Sequence, residues 1–391
     1  QTNSYIKVKS SLQALKDMAL LYRNNLDIKV VGITGSVGKT STKETISYVL
    51  NKKYKVLKTE GNFNNEIGLP LTVFRLRDDD EVAVLEMGIS DFGEMDRLSK
   101  IAQPDISVIT NIGLCHLENL KTRDGILKAK TEIFNNMKPD GIAILNGDDD
   151  KLITVDEVNG KKPERFGINY KDGVYAKDIE NLGLSGTKFV ISGLNCVDGC
   201  KDFEVTVPVP GHHMIYNALA AACVGAALEL TSAQIADGIA DLKTISGRNN
   251  IIKTSKYTLI DDCYNANPVS MKASVDVLDM AIGRKVCILG NMYELGENEK
   301  NLHYDVGQYI GTKNIDVLIT IGDLARHIAM GTDDYMETHF GSYDCEIHSF
   351  DDMEEFNMAY SSILKDNDNI LIKASHAMKF ADIVELLSKD N

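Results

Sequence analysis

The sequence predicts an α/β protein made of two successive units, and three observations carry that prediction. Short β-branched runs alternate with helix-compatible stretches along most of the chain, which implies parallel sheets covered on both faces. One such run, Val30-Val31-Gly32-Ile33, ends directly in a glycine-punctuated turn, and a helical segment starts at Lys39. A second series of strands and helices begins near Gly247, and 391 residues are enough for two or three domains with their own cores. The expected fold is a phosphate-loop domain with a mainly parallel sheet plus a small antiparallel sheet, followed by a Rossmann-like C-terminal domain. The expected boundaries are 1–27 for a lead-in remnant, 28–246 for the central domain and 247–391 for the C-terminal one.

In chain order, Ser10 and Ser11 are plausible caps for a lead-in helix. Leu12, Leu15, Met18, Ala19 and Tyr22 recur there at helical spacing. Thr34-Gly35-Ser36-Val37-Gly38-Lys39-Thr40-Ser41 then follows the first strand. Successive backbone N–H groups and a helix N-terminus make a cradle for phosphate oxygens. Lys39 would reach the outer phosphates of ATP and the Thr40 hydroxyl would hold magnesium. The loop is shorter than the commonest pattern, since Ile33 stands where a glycine is usual and Gly35 lies three before Gly38. A strand over Tyr54 to Leu57 is followed by EVAVLEMG, which ends in Glu86, an acid at the carboxyl end of a buried strand where open α/β sheets place ligands. DISVITN and IAILNGDD read as further strands, with LKAKTEIFNNM as a helix between them. FGINYKDG, VYAKDI, KFVISG and FEVTVPV read as the antiparallel strands, and PGHHMIYNALAAACVGAALEL returns to helix. Beyond Gly247 come four short apolar strands, TLIDD, KVCILG, VLITIG and NILIKAS, without the G-x-G-x-x-G that would suggest a dinucleotide. The runs Asp78 to Asp80 and Asp148 to Asp150 read as solvated turns.

Composition narrows the function classes. A net charge of −15 with no basic run argues against nucleic acid as a partner. The seven scattered cysteines read as reduced thiols of a cytoplasmic protein, and CVDGC lacks a second ligand pair for zinc. No apolar run reaches the ~18–20 residues of a membrane span. On oxygen chemistry Thr40 and Glu86 suit magnesium, His116 is a weaker candidate, and on composition alone Lys130 is a surface lysine.

TGSVGKTSTKE, GNFNNEIGLPLTVF, LEMG, ITNIGLCHLE, KAKTEIF, ILNGDD, PGHHMIYNALAAA, SGRN, DDCYNANPVSM, LGNMYELGE and IKASHAMK stand in this order, and together they resemble the Mur ligases. NNEIGLPLT, YNANPVSM and LG-x-M-x-ELG resemble most the member that joins D-alanyl-D-alanine to a UDP-N-acetylmuramoyl-tripeptide. The resemblance implies ATP-dependent amide formation through an acyl phosphate in peptidoglycan precursor synthesis, by a cytoplasmic monomer. It implies that Lys39 and the amides of Thr34 to Ser41 hold the ATP phosphates, with Thr40 and Glu86 on one Mg2+. It further implies that His116 and a carbamylated Lys130 hold a second. By the same resemblance Asn217 contacts adenine, Arg248 a phosphate and Asp262 the ribose, while Asn64, Asn65, Lys373 and Ser375 belong to substrate loops. Three positions depart from the family pattern: Met214, Asn291 and His376 replace an asparagine, an aspartate and an arginine. The family's uridine-nucleotide domain is expected before Tyr5. The alternatives are a folylpolyglutamate-type or cofactor-amidating ligase of the same superfamily, and a nucleotide-binding regulatory protein that does not ligate.

Overall fold

The computed structural model describes residues 6–244, 246–340 and 345–389. Nine strands form the first sheet: β1 (Lys29–Thr34), β2 (Val56–Lys58), β3 (Val82–Glu86), β4 (Ile106–Ile109), β5 (Ile142–Asn146), β6 (Glu164–Gly167), β7 (Val174–Asn181), β8 (Thr187–Ser192) and β9 (Asp202–Val207). Their order is β2-β3-β1-β4-β5-β6-β7-β8-β9. Pairing is parallel from β2 to β7 and antiparallel across β7, β8 and β9. The antiparallel strands therefore extend the same sheet.

Side chains alternate between two cores, as a strand buried on both faces requires. Val31 and Ile33 pack with Ile46 and Val49 of the helix Lys39–Leu50 and with the alanine-rich helix His213–Ala227. Val30 faces the opposite layer, with Ala19, Leu98 and Ile126. Small residues let that second helix close in: a Cβ on Gly225 would lie 3.0 Å from both Val49 and Ile235.

The lead-in helix, Ser11–Asn24, is capped by Ser10 as expected. Its buried face differs from the expected stripe, for Lys16, Ala19 and Arg23 are buried while Leu12 and Met18 are exposed. The reason is polar. Arg23 donates to the carbonyls of Ala102, Leu26 and Ile28, and Lys16 pairs with Glu66.

The second sheet contains β10 (Asn250–Lys253), β11 (Thr258–Asp261), β12 (Lys285–Gly290), β13 (Val317–Ile321), β14 (Glu346–Phe350) and β15 (Asn369–Lys373), in the order β10-β11-β15-β12-β13-β14. The four apolar strands expected there are its centre. The two edge strands, β10 and β14, escaped the sequence reading because half-exposed edges carry polar residues such as Asn250 and His348.

The acidic runs are also more than solvated turns. Asp148 accepts from the backbone N–H groups of Ile168, Asn169 and Tyr170 and from the Tyr216 hydroxyl. Asp149 accepts from Ile112 N–H, and Asp150 pairs with Arg123. In the earlier run Asp80 is buried and accepts from Arg77 N–H, and Asp79 pairs with Lys55. Short acidic side chains satisfy loop amides that no ladder reaches.

Candidate active site

The carboxyl ends of β1, β3 and β4 converge because the parallel register sets Ile33 beside Glu86 and Thr34 beside Ile109. The turn after β1 needs its glycines. A Cβ on Gly35 would fall 1.9 Å from the Thr110 hydroxyl, and Gly38 adopts φ +84° as the N-cap of the helix Lys39–Leu50. Asn111 fixes the turn by accepting from Val37 N–H at 3.0 Å and donating to Val37 C=O at 2.9 Å. No side chain caps this helix, so its first N–H groups point outward as an anion cradle. The Lys39 ammonium rests on the Gly35 carbonyl at 2.9 Å.

Glu86 is 2% exposed. Its Oε1 accepts from the Asn64 amide at 2.8 Å, and its backbone N–H donates to the Thr59 hydroxyl at 3.0 Å. Its Oε2 is buried without a hydrogen-bond partner. Lys43, one turn beyond Lys39, is also buried; its ammonium donates to Thr59 C=O at 2.7 Å and stands 4.0 Å from Glu86 Oε2. Asn65, by contrast, turns away. Its Oδ1 accepts from Ile67 and Gly68 N–H, which fastens the start of the helix Gly68–Val73.

Lys130 corrects the surface reading, being 1% exposed on the inner face of the helix Arg123–Thr131. Among the described residues its ammonium has neither a hydrogen bond nor an ion pair. Burial, and then the charge of Lys39, push its pKa down to about 7. His116 sits in the left-handed region at φ +50°. Burial and the charges of Lys130 and Lys39 hold it below the ordinary histidine value. Lys39, His116 and Lys130 are thus electrostatic neighbours, and the last two are shifted toward their neutral forms. No group of three or more His, Cys, Asp or Glu side chains is arranged to hold a metal among the described residues.

The second sheet contributes the opposite wall. Asp262 follows β11 and is braced on both oxygens: Lys373 donates to Oδ2 at 2.6 Å, Ser274 also to Oδ2, and Asn249 N–H to Oδ1 at 3.1 Å. Lys373 is 2% exposed and also donates to the carbonyl of Asn265. Arg248 lies over the Tyr264 ring, 4.2 Å from its centre. A cavity of about 750 Å³ lies between the walls. Lys39, Thr40, Glu86, Asn64, Asn217, Arg248, Asp262 and Lys373 line it; Asn65, His116, Lys130 and Ser375 do not. Asn217 Oδ1 accepts from Thr42 at 2.8 Å, which ties the helix His213–Ala227 to the phosphate loop. Ser375 Oγ is taken by Tyr293 N–H at 2.9 Å.

Sequence reasoning missed Lys43, Asn111, Asp148 with Tyr216, and Tyr264. Only Lys43 carried a signal, as a lysine on the buried face one helical turn after Lys39. All seven cysteines are free thiols, as expected. No helix among the described residues is long and apolar enough to cross a membrane.

Comparisons with known proteins place both units in one family. The sequence model of the Mur ligase middle domain matches residues 33–225, and that of the Mur ligase, glutamate ligase domain matches 247–376. The UDP-N-acetylmuramoyl-tripeptide–D-alanyl-D-alanine ligase of Bacillus subtilis is 37% identical, over 98% of this chain and 81% of that protein. The crystal structure of MurF from Acinetobacter baumannii superposes with a TM-score of 0.87 at 30% identity, covering 98% of this chain and 82% of that one. MurF ligase from Thermotoga maritima, solved in complex with ADP, gives a TM-score of 0.85 at 31% identity, covering 100% and 87%.

Proposed function

The chain belongs to the Mur ligase family, and from that premise we propose that its inter-sheet cavity couples D-alanyl-D-alanine to a UDP-N-acetylmuramoyl-tripeptide. The protein is an ATP-dependent ligase of peptidoglycan precursor synthesis. One observation carries the reading at the level of the site: a phosphate cradle and a buried carboxylate oxygen without a hydrogen bond line the same cavity.

The reaction has two stages. The tripeptide carboxylate takes the γ-phosphoryl group of ATP to give an acyl phosphate, and the dipeptide amine then displaces phosphate through a tetrahedral intermediate. We assign Lys39 and the outward N–H groups of the loop to the phosphoryl oxygens, where charge grows in the transition state. Asn217 is assigned to adenine, Arg248 to a phosphate and Asp262 to the ribose. The residues present fit magnesium. Glu86 offers Oε2 and Thr40 a hydroxyl, and a hard dication that keeps phosphate and water ligands needs only one or two protein oxygens. When bound, it would neutralise charge on the transferring phosphoryl group.

Lys130 and His116 are assigned to a second such ion. The Lys130 amine, half neutral near pH 7, can add to CO2; a C–N bond forms, a proton leaves, and a cation becomes an anionic oxygen ligand. Asn64 is assigned to holding Glu86, and Asn65, Lys373 and Ser375 to shaping the substrate loops. The domain division proposed is a lead-in segment at 1–27, then 28–246 and 247–391, in a monomer acting in the cytoplasm; gel filtration tests the monomeric state.

The test is phosphate release from Mg·ATP with the UDP-linked tripeptide. Release should require D-alanyl-D-alanine. Equal release with L-glutamate in its place would favour a folylpolyglutamate-type ligase.

A further inference from the structure

We propose that Tyr264 is a positioning residue that links Arg248 to the loop at residues 375–378 through two successive contacts of its ring, with the Arg248 guanidinium over it and the His376 ring tilted against it. The inference rests on the reading of the site just given, in which Arg248 serves a phosphate and Ser375 shapes a substrate loop, and it assigns that 375–378 loop to the dipeptide.

Three observations point to it. The Arg248 guanidinium lies 4.2 Å from the centre of the Tyr264 ring, and that ring lies 5.7 Å from the His376 ring at an interplanar angle of 46°. Arg248 forms no ion pair among the described residues, so the ring is what orients its fork. The Tyr264 hydroxyl makes no hydrogen bond among the described residues either, which leaves the π face as its contribution.

The backbone beneath these contacts is fixed at several points. Gly247 N–H donates to Asp261 at 2.7 Å, Asn249 N–H to Asp262 at 3.1 Å and Tyr264 N–H to Gly247 C=O at 3.1 Å. Gly247 and Asn249, on either side of Arg248, both lie in the left-handed region, at φ +77° and +48°. This turn aims the arginine across the ring and into the cavity. At the far end, Ser375 N–H donates to Asn291 C=O at 3.0 Å, and Tyr293 bonds both Ser375 Oγ and Met378. A movement of the 375–378 loop therefore reaches Arg248 through one ring. A guanidinium held over an aromatic face is pre-oriented, so less freedom is lost when it meets a phosphate.

The test compares Tyr264→Leu, which keeps apolar bulk without a π face, with Tyr264→Phe. Calorimetry of Mg·ADP binding reads the first link and needs no ligation, so it stands even if the dipeptide specificity is misassigned. Tyr264→Leu should weaken ADP binding about 5- to 20-fold, the range of a partly desolvated cation–π contact, and Phe should restore it to within twofold. Arg248→Ala should lose a similar factor, and the double variant little more. The second link is read as KM for D-alanyl-D-alanine. It should rise in Tyr264→Leu and in His376→Ala without compounding. Additive losses with Arg248→Ala would mean that Tyr264 touches the nucleotide itself and would overturn the proposal. So would a Phe variant as weak as Leu, or a dipeptide KM that Tyr264→Leu leaves unchanged.

Discussion

The two sheets offer charged groups at their strand ends in opposite ways. Beside β1 and β3 the groups are left incomplete among the described residues: Glu86 Oε2 has no hydrogen-bond donor and only the Lys43 ammonium at 4.0 Å, Lys130 has no hydrogen bond or ion pair, and the helix at Lys39 has no side-chain cap. Beyond β11 and β15 they are closed on one another, with Lys373, Ser274 and Asn249 filling both oxygens of Asp262. Both arrangements are buried, so the difference is not one of solvent. A buried group without a partner stays available to an incoming charge, whereas a paired one fixes geometry. On the proposed reading the open groups of the first unit are the ones that would meet phosphate and metal, while the closed network of the second holds Asp262 and Lys373 in place.

Breaking the closed network should have the largest effect on folding. Lys373→Met leaves the Asp262 carboxylate without its counter-charge and should destabilise the protein by about 3–5 kcal/mol. Adding Asp262→Asn should recover most of that, as read from urea midpoints. If the single variant unfolds at the parent's midpoint, the two walls do not differ as described. In the open unit, Lys39→Ala should leave stability nearly unchanged and lower ATP turnover by ~10²–10³, the scale for losing one fixed transition-state donor. Phosphate release near the parent's rate would remove Lys39 from the chemistry.

Lys130 sharpens the comparison through pH. Its pKa falls from an ordinary 10.5 to about 7 in the folded protein. Between those values the unfolded chain binds one proton more, so stability should rise with pH, by about 1.4 kcal/mol per unit from this group. Lys130→Met should flatten that slope in CO2-free buffer. Its stabilising effect should be largest at pH 7 and below and should vanish near pH 10.5. Parallel curves for variant and parent would place the Lys130 charge in a solvated setting.

Much of this contrast was legible in the sequence on the open side. Gly35, Gly38, Lys39 and Thr40 are adjacent in the chain, and the register that adds Glu86 follows from two apolar runs of ordinary length. The burial of Lys130 was not legible. It depends on which face of a nine-residue helix meets the sheet, and the segment's lysines at 128 and 130 look alike from composition. Nor was the closed network. Asp262 and Lys373 stand 111 residues apart, and only the parallel pairing of β11 with β15 joins them. The apolar spacing of the lead-in helix misled for a related reason, since Arg23 found three carbonyls and took the buried face.

Asn65 carries the smallest expected effect and separates two roles that family resemblance merges. The structure uses its Oδ1 to hold Ile67 and Gly68 N–H, at 3.1 and 2.8 Å. That turn precedes the helix Gly68–Val73 and follows Asn64, whose amide keeps Glu86 Oε1 occupied and so leaves Oε2 as the oxygen without a hydrogen bond. Asn65→Ala should therefore lose about 1 kcal/mol, as the removal of a cap does, and should also raise the magnesium concentration needed for half-maximal turnover. Aspartate accepts the same two bonds. Asn65→Asp should then keep parental stability and magnesium dependence, and its KM for the UDP-linked tripeptide should stay unchanged if Asn65 serves only as a cap. A raised tripeptide KM in a fully stable Asn65→Asp protein would show instead that the Asn65 amide reaches the substrate, and would move this residue from the frame of the open wall to its working face.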